Sequence, residues 1–416
     1  MKLSFCYPPA FAFTRSLVFF ISFVQMASII TGSDHDIGIA VRHLTAGKLV
    51  AFPTETVYGL GGNALQDDVV KKIYAVKGRP STDPLICHVD SIEKAVDLWD
   101  NSKTEENQKT VALAQTIGKK LWPGPITIVM RANSSLPLSV TGGSGFVGAR
   151  IPNHPLTLKV LGQLSFPLAG PSANTFGHVS PTTAEHVYAD LASRDSELLI
   201  LDGGSCEVGI ESTVVKITSC TSIEVLRRGK ITINEIQSSI ESDVPVTIEV
   251  RDTRSKFKDA NTPMDGPGQL LTHYSPGVPA QLVTPASFTL FSSAKSEDVR
   301  DCYICSGSTG EKFPLSSTVV IDFNSVLSTL KNGSCGYCDL SSTGSVTEAS
   351  KRVFEALRWS EKVEGASNVI FPFLSEWLTP TQTGTPDAQM DLDLLAAVED
   401  RLFRAASGKV ASFALA

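Results

Sequence analysis

Acidic side chains are missing from the start of this chain. No Asp or Glu precedes Asp34, and Lys2 and Arg15 are the only charges among the first 33 residues. The apolar stretch at 17–30 is too short and too interrupted for a membrane-spanning helix, so stable membrane insertion is not expected. Two readings of residues 1–26 stay open: a targeting segment, or an extension upstream of a start at Met26. The first sends the protein to a mitochondrion or another organelle, and the second leaves it cytoplasmic. A large excess of positive charge is also absent. A formal net charge of -7 over 416 residues excludes a protein dominated by nucleic-acid backbone contacts, though a local basic groove remains compatible with it. Several catalytic and cofactor signatures do not occur either. There is no G-x-x-x-x-G-K-[ST] loop, no H-E-x-x-H and no G-x-S-x-G elbow. Gly59-Leu60-Gly61-Gly62 lacks the dinucleotide-binding spacing. Phosphate binding, if it occurs, uses another scaffold.

What is present is a chain long enough for two domains. At 42% hydrophobic and 19% charged residues it can build sizeable cores. Residues 27–262 alternate helix and strand signals. Helices are predicted over 34–46, 67–76, 108–121, 155–164 and 182–192. Strands are predicted over 49–52, 85–89, 126–130, 146–151, 167–170, 198–202, 212–217 and 223–226. This predicts one α/β domain around a mixed sheet. The Pro- and Gly-rich stretch 263–280 reads as a linker. Residues 281–416 again alternate strands (319–323, 369–373) with helices (347–359, 391–406) and form a smaller accessory domain.

Cys302/Cys305 and Cys335/Cys338 are two CxxC pairs, the spacing of a thiolate zinc site. Against zinc, residues 299–306 read as a strand, which sends Cys302 and Cys305 to opposite faces. Only the second pair carries a glycine. Small cysteines packed in a core are the favoured reading, and no metal site is assigned.

Two polar clusters stand out: Lys77-Gly78-Arg79-Pro80 and Pro171-Ser172-Ala173-Asn174. Each follows an apolar run, at a point where Gly or Pro ends regular structure. Cations and neutral donors on rigid turns suit a triphosphate and a carboxylate. Each alone is also explained by a solvated helix end or a simple turn. Arg150 closes an apolar strand and needs an acidic partner, from ligand or protein. Arg227 and Arg228 precede Gly229 and offer a phosphate clamp. His88 lies in a buried-looking strand, where a core role is the commoner one.

With these residues and motifs in hand, the chain resembles the YrdC-like threonylcarbamoyl-AMP synthase family in its long two-domain form. The resemblance rests on the run from Phe52 to Gly61, on Lys77-Gly78-Arg79-Pro80 with the run from Pro84 to Val89, and on Leu121-Trp122-Pro123-Gly124-Pro125. It continues through Ala149-Arg150-Ile151-Pro152, Pro171-Ser172-Ala173-Asn174, Glu211-Ser212-Thr213-Val214, Leu226-Arg227-Arg228-Gly229 and the linker Pro267–Pro276. It implies a YrdC-like open twisted mixed sheet with helices, followed by a Rossmann-like α/β domain. It also implies a nucleotidyltransferase that joins L-threonine, bicarbonate or CO2, and ATP with Mg2+, releasing pyrophosphate. The threonylcarbamoyl-adenylate then passes to a separate transferase complex that modifies tRNA. By the same resemblance Lys77, Arg79, Ser172 and Asn174 are the catalytic group. Ser81, Phe146, Thr182, Arg228 and Tyr274 join Lys77 and Asn174 around ATP, and Thr54, His88, Arg150, Ser172 and Ser212 hold threonine. The linker is expected to close over the pocket as a lid. Lys77→Ala and Arg79→Ala are expected to stop turnover without disturbing the fold. The competing reading is an RNA-binding module of the same fold, contacting tRNA or double-stranded RNA without turnover. Carbamoyl transfer for metal-centre maturation is less apt, because the chains that do it carry extra domains.

Overall fold

Two α/β bodies make up the protein. The computed structural model describes residues 27–100, 102–241, 245–251, 262–268, 270–292, 302–307, 309–378 and 388–415. The segment 1–26, expected to be a targeting or upstream extension, lies outside the described residues.

The first body runs β1 (Ser28–Ile30), α1 (Asp34–Thr45), β2 (Val50–Phe52), β3 (Gly59–Asn63), α2 (Asp67–Lys77), β4 (Ile86–His88), α3 (Ile92–Val96), α4 (Glu105–Leu121), β5 (Ile126–Arg131) and β6 (Phe146–Arg150). It continues with α5 (Pro155–Leu161), β7 (Leu168–Ala169), α6 (Ala184–Leu191), β8 (Leu199–Leu201), β9 (Thr213–Ser219), β10 (Ser222–Arg227), α7 (Ile233–Ser239) and β11 (Thr247–Val250). All eleven strands form one sheet, ordered β1-β8-β2-β3-β7-β4-β6-β5-β9-β10-β11. It is mixed: β4 pairs with β6 and β5 with β9 in parallel, whereas β3 with β7 and β5 with β6 are antiparallel.

Local chemistry sets the ends that matter. Ser33 caps α1 by accepting the Asp36 N–H. Gly78 ends α2 in the left-handed region, at φ 66°, a conformation that a side chain disfavours. That turn keeps Lys77 buried and throws Arg79 back under the helix, its N–H bonded to Tyr74 O. The glycine run absent from the strand expectations is β3, a buried central strand. A Cβ at Gly59 would lie 2.5 Å from Phe52, and one at Gly61 2.8 Å from Leu168. Large neighbours fill the space that side chains there would need.

The second body contains β12 (Ala280–Val283), α8 (Pro285–Ser292), β13 (Cys302–Ser306), β14 (Lys312–Pro314), β15 (Thr318–Asp322), β16 (Gly336–Asp339), α9 (Val346–Ser360), β17 (Asn368–Pro372), α10 (Leu374–Trp377), α11 (Ala388–Ala405) and β18 (Ala411–Leu415). A four-stranded sheet, β12-β17-β15-β16, is parallel throughout. A smaller antiparallel sheet is ordered β14-β13-β18. The two CxxC pairs fall on different sheets and in different cores. Cys302 packs with Ile304 and Phe313, whereas Cys335 and Cys338 lie against the core around α9 and α11. That core reaches across the boundary between the bodies, taking in Val57, Val179 and Ile210 of the first together with Tyr274 of the linker. Burying such side chains contributes about 1.5–3 kcal/mol each for the larger ones, so α9 is fixed against the first body. No helix among the described residues is long and apolar enough to cross a membrane.

Candidate active site

Six strand ends, the turn after α2 and the linker converge on one cavity. Its walls include Thr54 and Thr56 after β2, Arg79 after α2, His88 at the end of β4 and Arg150 at the end of β6. Ser172 follows β7, Glu211 and Ser212 precede β9, and Arg227 ends β10. The linker supplies Pro267, Gly268 and His273. The enclosed space is about 50 Å³, room for a few water molecules.

Lys77 stands just behind this wall. Its Nζ donates to Ser172 O and Asn174 O, both at 2.5 Å, and Lys77 O accepts the Phe176 N–H at 2.8 Å. The two sequence clusters are therefore one assembly. Burial, then the Arg79 charge, holds the Lys77 amine well below its usual pKa. Two of the three donors of an ammonium here are spent on the loop carbonyls, and one remains. Arg79 pairs with the fully buried Asp83 at 2.8 Å and donates to Asp83 O and Pro84 O, each at 3.0 Å. Asn174 donates through Nδ2 to Thr175 O at 2.8 Å and to His178 O at 2.9 Å. Its Oδ1 is buried with no partner. Such an atom is costly unless something arrives to bond it.

The opposite wall is built for a small polar molecule. The acid that Arg150 requires is Glu55, 2.9 Å away, which also accepts the Asn153 N–H at 3.1 Å. Thr54 Oγ1 is tied into its own turn, bonded to Thr56 Oγ1 at 2.8 Å and to Val57 O at 2.7 Å. Ser212 Oγ bonds Thr127 Oγ1 at 2.9 Å and accepts from Arg227 at 3.2 Å. His88 packs its ring edge-on against Phe52 at 5.1 Å, and its Nδ1 has no partner. Burial and then the Arg150 charge push its pKa down to about 3, so it is a neutral imidazole at the wall. His273 is also held well below its usual value, by burial and then by Arg79, Arg404, Lys77 and Arg227. Both histidines register the same surplus of positive charge, which suits an anion.

Thr54, Arg79, His88, Arg150, Ser172 and Ser212 thus share the cavity, and Lys77 and Asn174 adjoin it. Four other expected residues lie elsewhere, and a fifth, Tyr274, stands behind the cavity wall with its hydroxyl beside Gly268. Ser81 is exposed on the turn after Pro80. Phe146 sits four residues up β6 from Arg150, roughly 13 Å along the strand. There its ring carries Lys216 Nζ at 3.5 Å and packs with Val129, Val214 and Leu226. Thr182 Oγ1 is engaged with His186 Nδ1 at 3.3 Å. Tyr274 is fully buried between the bodies, stacked on Phe354 at 5.2 Å, with its hydroxyl unpartnered. Arg228 turns away to pair with Asp393 of α11, and its neighbour Arg227 takes the cavity side. Successive residues at a strand end point to opposite sides, which separates the two arginines at the end of β10. Glu55, Asp83, Glu211 and His273 join the site without a local signal in the sequence. Each sits inside a quoted motif or next to one, but nothing local marks it as facing a cavity.

Comparison with known proteins bears on both bodies. A family model for Sua5, YciO and YrdC proteins, described as telomere recombination, matches residues 42–229. One described as threonylcarbamoyl-AMP synthase, C-terminal domain, matches residues 231–407. The threonylcarbamoyl-AMP synthase of Bacillus subtilis is 38% identical over 258 residues, 62% of this chain and 69% of that one. The synthase of Pyrococcus abyssi is 38% identical over 240 residues, 58% of this chain and 65% of that one. The crystal structure of P. abyssi Sua5 complexed with L-threonine matches with a TM-score of 0.70 at 29% identity, covering 92% of this chain and 98% of the other.

Proposed function

This chain belongs to the threonylcarbamoyl-AMP synthase family and is an enzyme of that kind, and from that premise we propose that its cavity joins L-threonine, CO2 or bicarbonate, and ATP into threonylcarbamoyl-adenylate and pyrophosphate. The observation that carries this reading is the meeting of Arg79, Arg150, Ser172 and Ser212 in one cavity roofed by the linker. Arg150 is the counter-ion for the threonine carboxylate. Its attachment to Glu55 fixes the guanidinium in place before the ligand arrives. Thr54, Ser212 and neutral His88 meet the amine and hydroxyl of threonine. The guanidinium groups of Arg79, Arg150 and Arg227 at the cavity favour the neutral amine that CO2 capture requires. The carbamate oxygen then attacks the α-phosphorus, and the bond to the β-phosphate oxygen breaks. Negative charge grows on the non-bridging oxygens and the leaving pyrophosphate, beside the third Nζ donor of Lys77, Arg79 and Arg227.

Magnesium enters with the nucleotide. The carboxylates at the cavity are already committed: Glu55 to Arg150, Asp83 to Arg79, Glu211 to Ser180 and Arg401. The protein therefore offers the ion no ready ligand set, and the phosphates and water hold it. No step here is assigned to it. The space now enclosed is too small for an amino acid with a nucleotide. Pro267, Gly268 and His273 must withdraw to admit them and return to exclude water from the mixed anhydride. The adenylate is then consumed by a separate transferase acting on tRNA.

The direct test supplies ATP, L-threonine and bicarbonate and follows the adenylate by mass spectrometry with pyrophosphate release. The expected result is product only when all three are present. A folded protein that binds RNA yet yields no adenylate would overturn the reading in favour of a binding module.

A further inference from the structure

The turn that carries Asn174 is held partly by its own domain and partly from the second one. Residues 171–173 are secured by β3: Leu60 N–H donates to Pro171 O at 2.7 Å and Ala173 N–H to Tyr58 O at 2.8 Å. Beyond Asn174 the first body contributes Lys77 O, which accepts the Phe176 N–H at 2.8 Å, and a second set of contacts joins it. Thr175 N–H donates to Asp190 Oδ2 of α6 at 3.1 Å. The same oxygen meets His178 Nδ1 at 2.8 Å. Arg358, in α9 of the second body, grips that carboxylate with both terminal nitrogens, at 3.0 and 3.2 Å, and bonds Val179 O as well. Glu361, one residue past the end of α9, takes His178 Nε2 at 2.8 Å and the linker N–H of Gly277 at 3.0 Å. Ser275 N–H donates to Gly177 O at 2.8 Å.

We infer that Arg358 and Glu361 are positioning residues for the reaction: from the second domain they lock the 174–179 turn, and through it the orientation of the Asn174 amide. The link is short. Asn174 Nδ2 is held by Thr175 O and His178 O, and those two residues are the ones that Asp190 and Glu361 fix. With Nδ2 so occupied, the bare Oδ1 is left for the reacting groups. Arg358 and Asp190 are both nearly excluded from solvent, 5% exposed at each side chain. A bidentate pair in such surroundings is directional and intolerant of slippage. Because Glu361 also holds Gly277, the linker and this turn share an anchor. Lid closure and alignment of Asn174 are then coupled.

The inference rests on reading Asn174 as a group that acts on the reacting carbamate or nucleotide. Two variants of the full chain test it, Arg358→Met and Glu361→Gln, with Arg358→Lys as the conservative partner of the first. Glu361→Gln keeps the size and an acceptor oxygen, so it remains informative if Arg358→Met does not fold. Turnover is measured per folded molecule, with the folded fraction taken from thermal unfolding. The expected result is a kcat at least tenfold lower in Arg358→Met, several-fold lower in Glu361→Gln and partly recovered in Arg358→Lys. KM for L-threonine should stay within threefold, because Arg150 and Ser212 stand on the other wall and Ser172 is secured by β3. A lower melting temperature with unchanged kcat would reduce these residues to structural ones and overturn the inference. Equal losses in kcat and threonine affinity would do the same. Wild-type enzyme that makes no adenylate would instead sink the proposed function.

Discussion

Lys77 and Arg79 sit two positions apart and do different work, and the difference is one of partners. Lys77 spends its donors on backbone carbonyls, so replacing it leaves no stranded charge. Arg79 neutralises Asp83, a carboxylate with no solvent exposure. The expectation that both alanine variants keep the fold intact therefore needs correcting for Arg79. Lys77→Ala is expected to lower kcat by about 10²–10³-fold and to cost roughly 1–3 kcal/mol of stability, because two buried loop carbonyls lose their donor. Arg79→Ala is expected to lose activity and also about 3–5 kcal/mol of stability, because a buried acid is left unpaired. Urea denaturation of the two variants side by side checks this. Equal midpoints would remove the distinction. At this scale the sequence already supplied the chemistry: the two clusters, Arg150 and the pair Arg227/Arg228 were all visible as cations at strand or helix ends. It did not supply direction. Arg227 and Arg228 are adjacent and chemically identical. The register of β10 in the sheet decides which one enters the cavity.

Elements act here through their ends. Helices α6 and α9 contribute little to the cavity walls, yet their side chains clamp the turn behind Asn174. His178 is the titrating part of that clamp. Burial works against its charge, but the bonds to Asp190 and Glu361 prevail and raise its pKa to about 9. Asp190 goes the other way: burial would raise it, and the bonds from His178 and Arg358 bring it down to about 2. A raised histidine adds stability that is fully present below its unfolded pKa near 6.5 and is lost as pH climbs through 9. A lowered aspartate adds stability that is present above its unfolded pKa near 3.8 and is lost as pH falls through 2. The contribution of the clamp to stability is thus full between roughly pH 4 and 6.5 and declines as pH rises toward 9, where His178 loses its proton. Melting temperature measured from pH 6 to 9.5 should fall less steeply in His178→Asn than in wild type. Parallel slopes would remove the clamp from the pH response. Most helices and strands were legible from apolar periodicity and end signals, α1 and α2 almost to the residue. The glycine-rich β3 was not, because its lack of side chains answers to Phe52 and Leu168 packed over it.

As a molecule the protein is two bodies sharing a core. The boundary is filled by Tyr274, Phe354, Val57, Val179 and Ile210, and it is crossed by two buried arginines. Arg358 serves Asp190, and Arg401 serves Glu211 at 3.1 Å beside the cavity. Ending the chain at residue 262 would take away the roof of the cavity and both arginines together. The expected outcome is loss of adenylate formation by two orders of magnitude or more, assayed by mass spectrometry on the truncated protein with circular dichroism as the folding control. A truncated protein that folds and turns over normally would reject any role for the linker and the second domain.

The sequence by itself determined the alternation of strands and helices, the linker, and the cationic and hydroxyl-bearing turns, because these follow from side-chain spacing and from what Gly and Pro do locally. Tertiary structure alone decided that Arg227 and not Arg228 faces the cavity, that Glu55 answers Arg150, and that Arg358 of the second body reaches the 174–179 turn. Such pairings depend on sheet register and on how one body is seated against the other, and no local pattern encodes either.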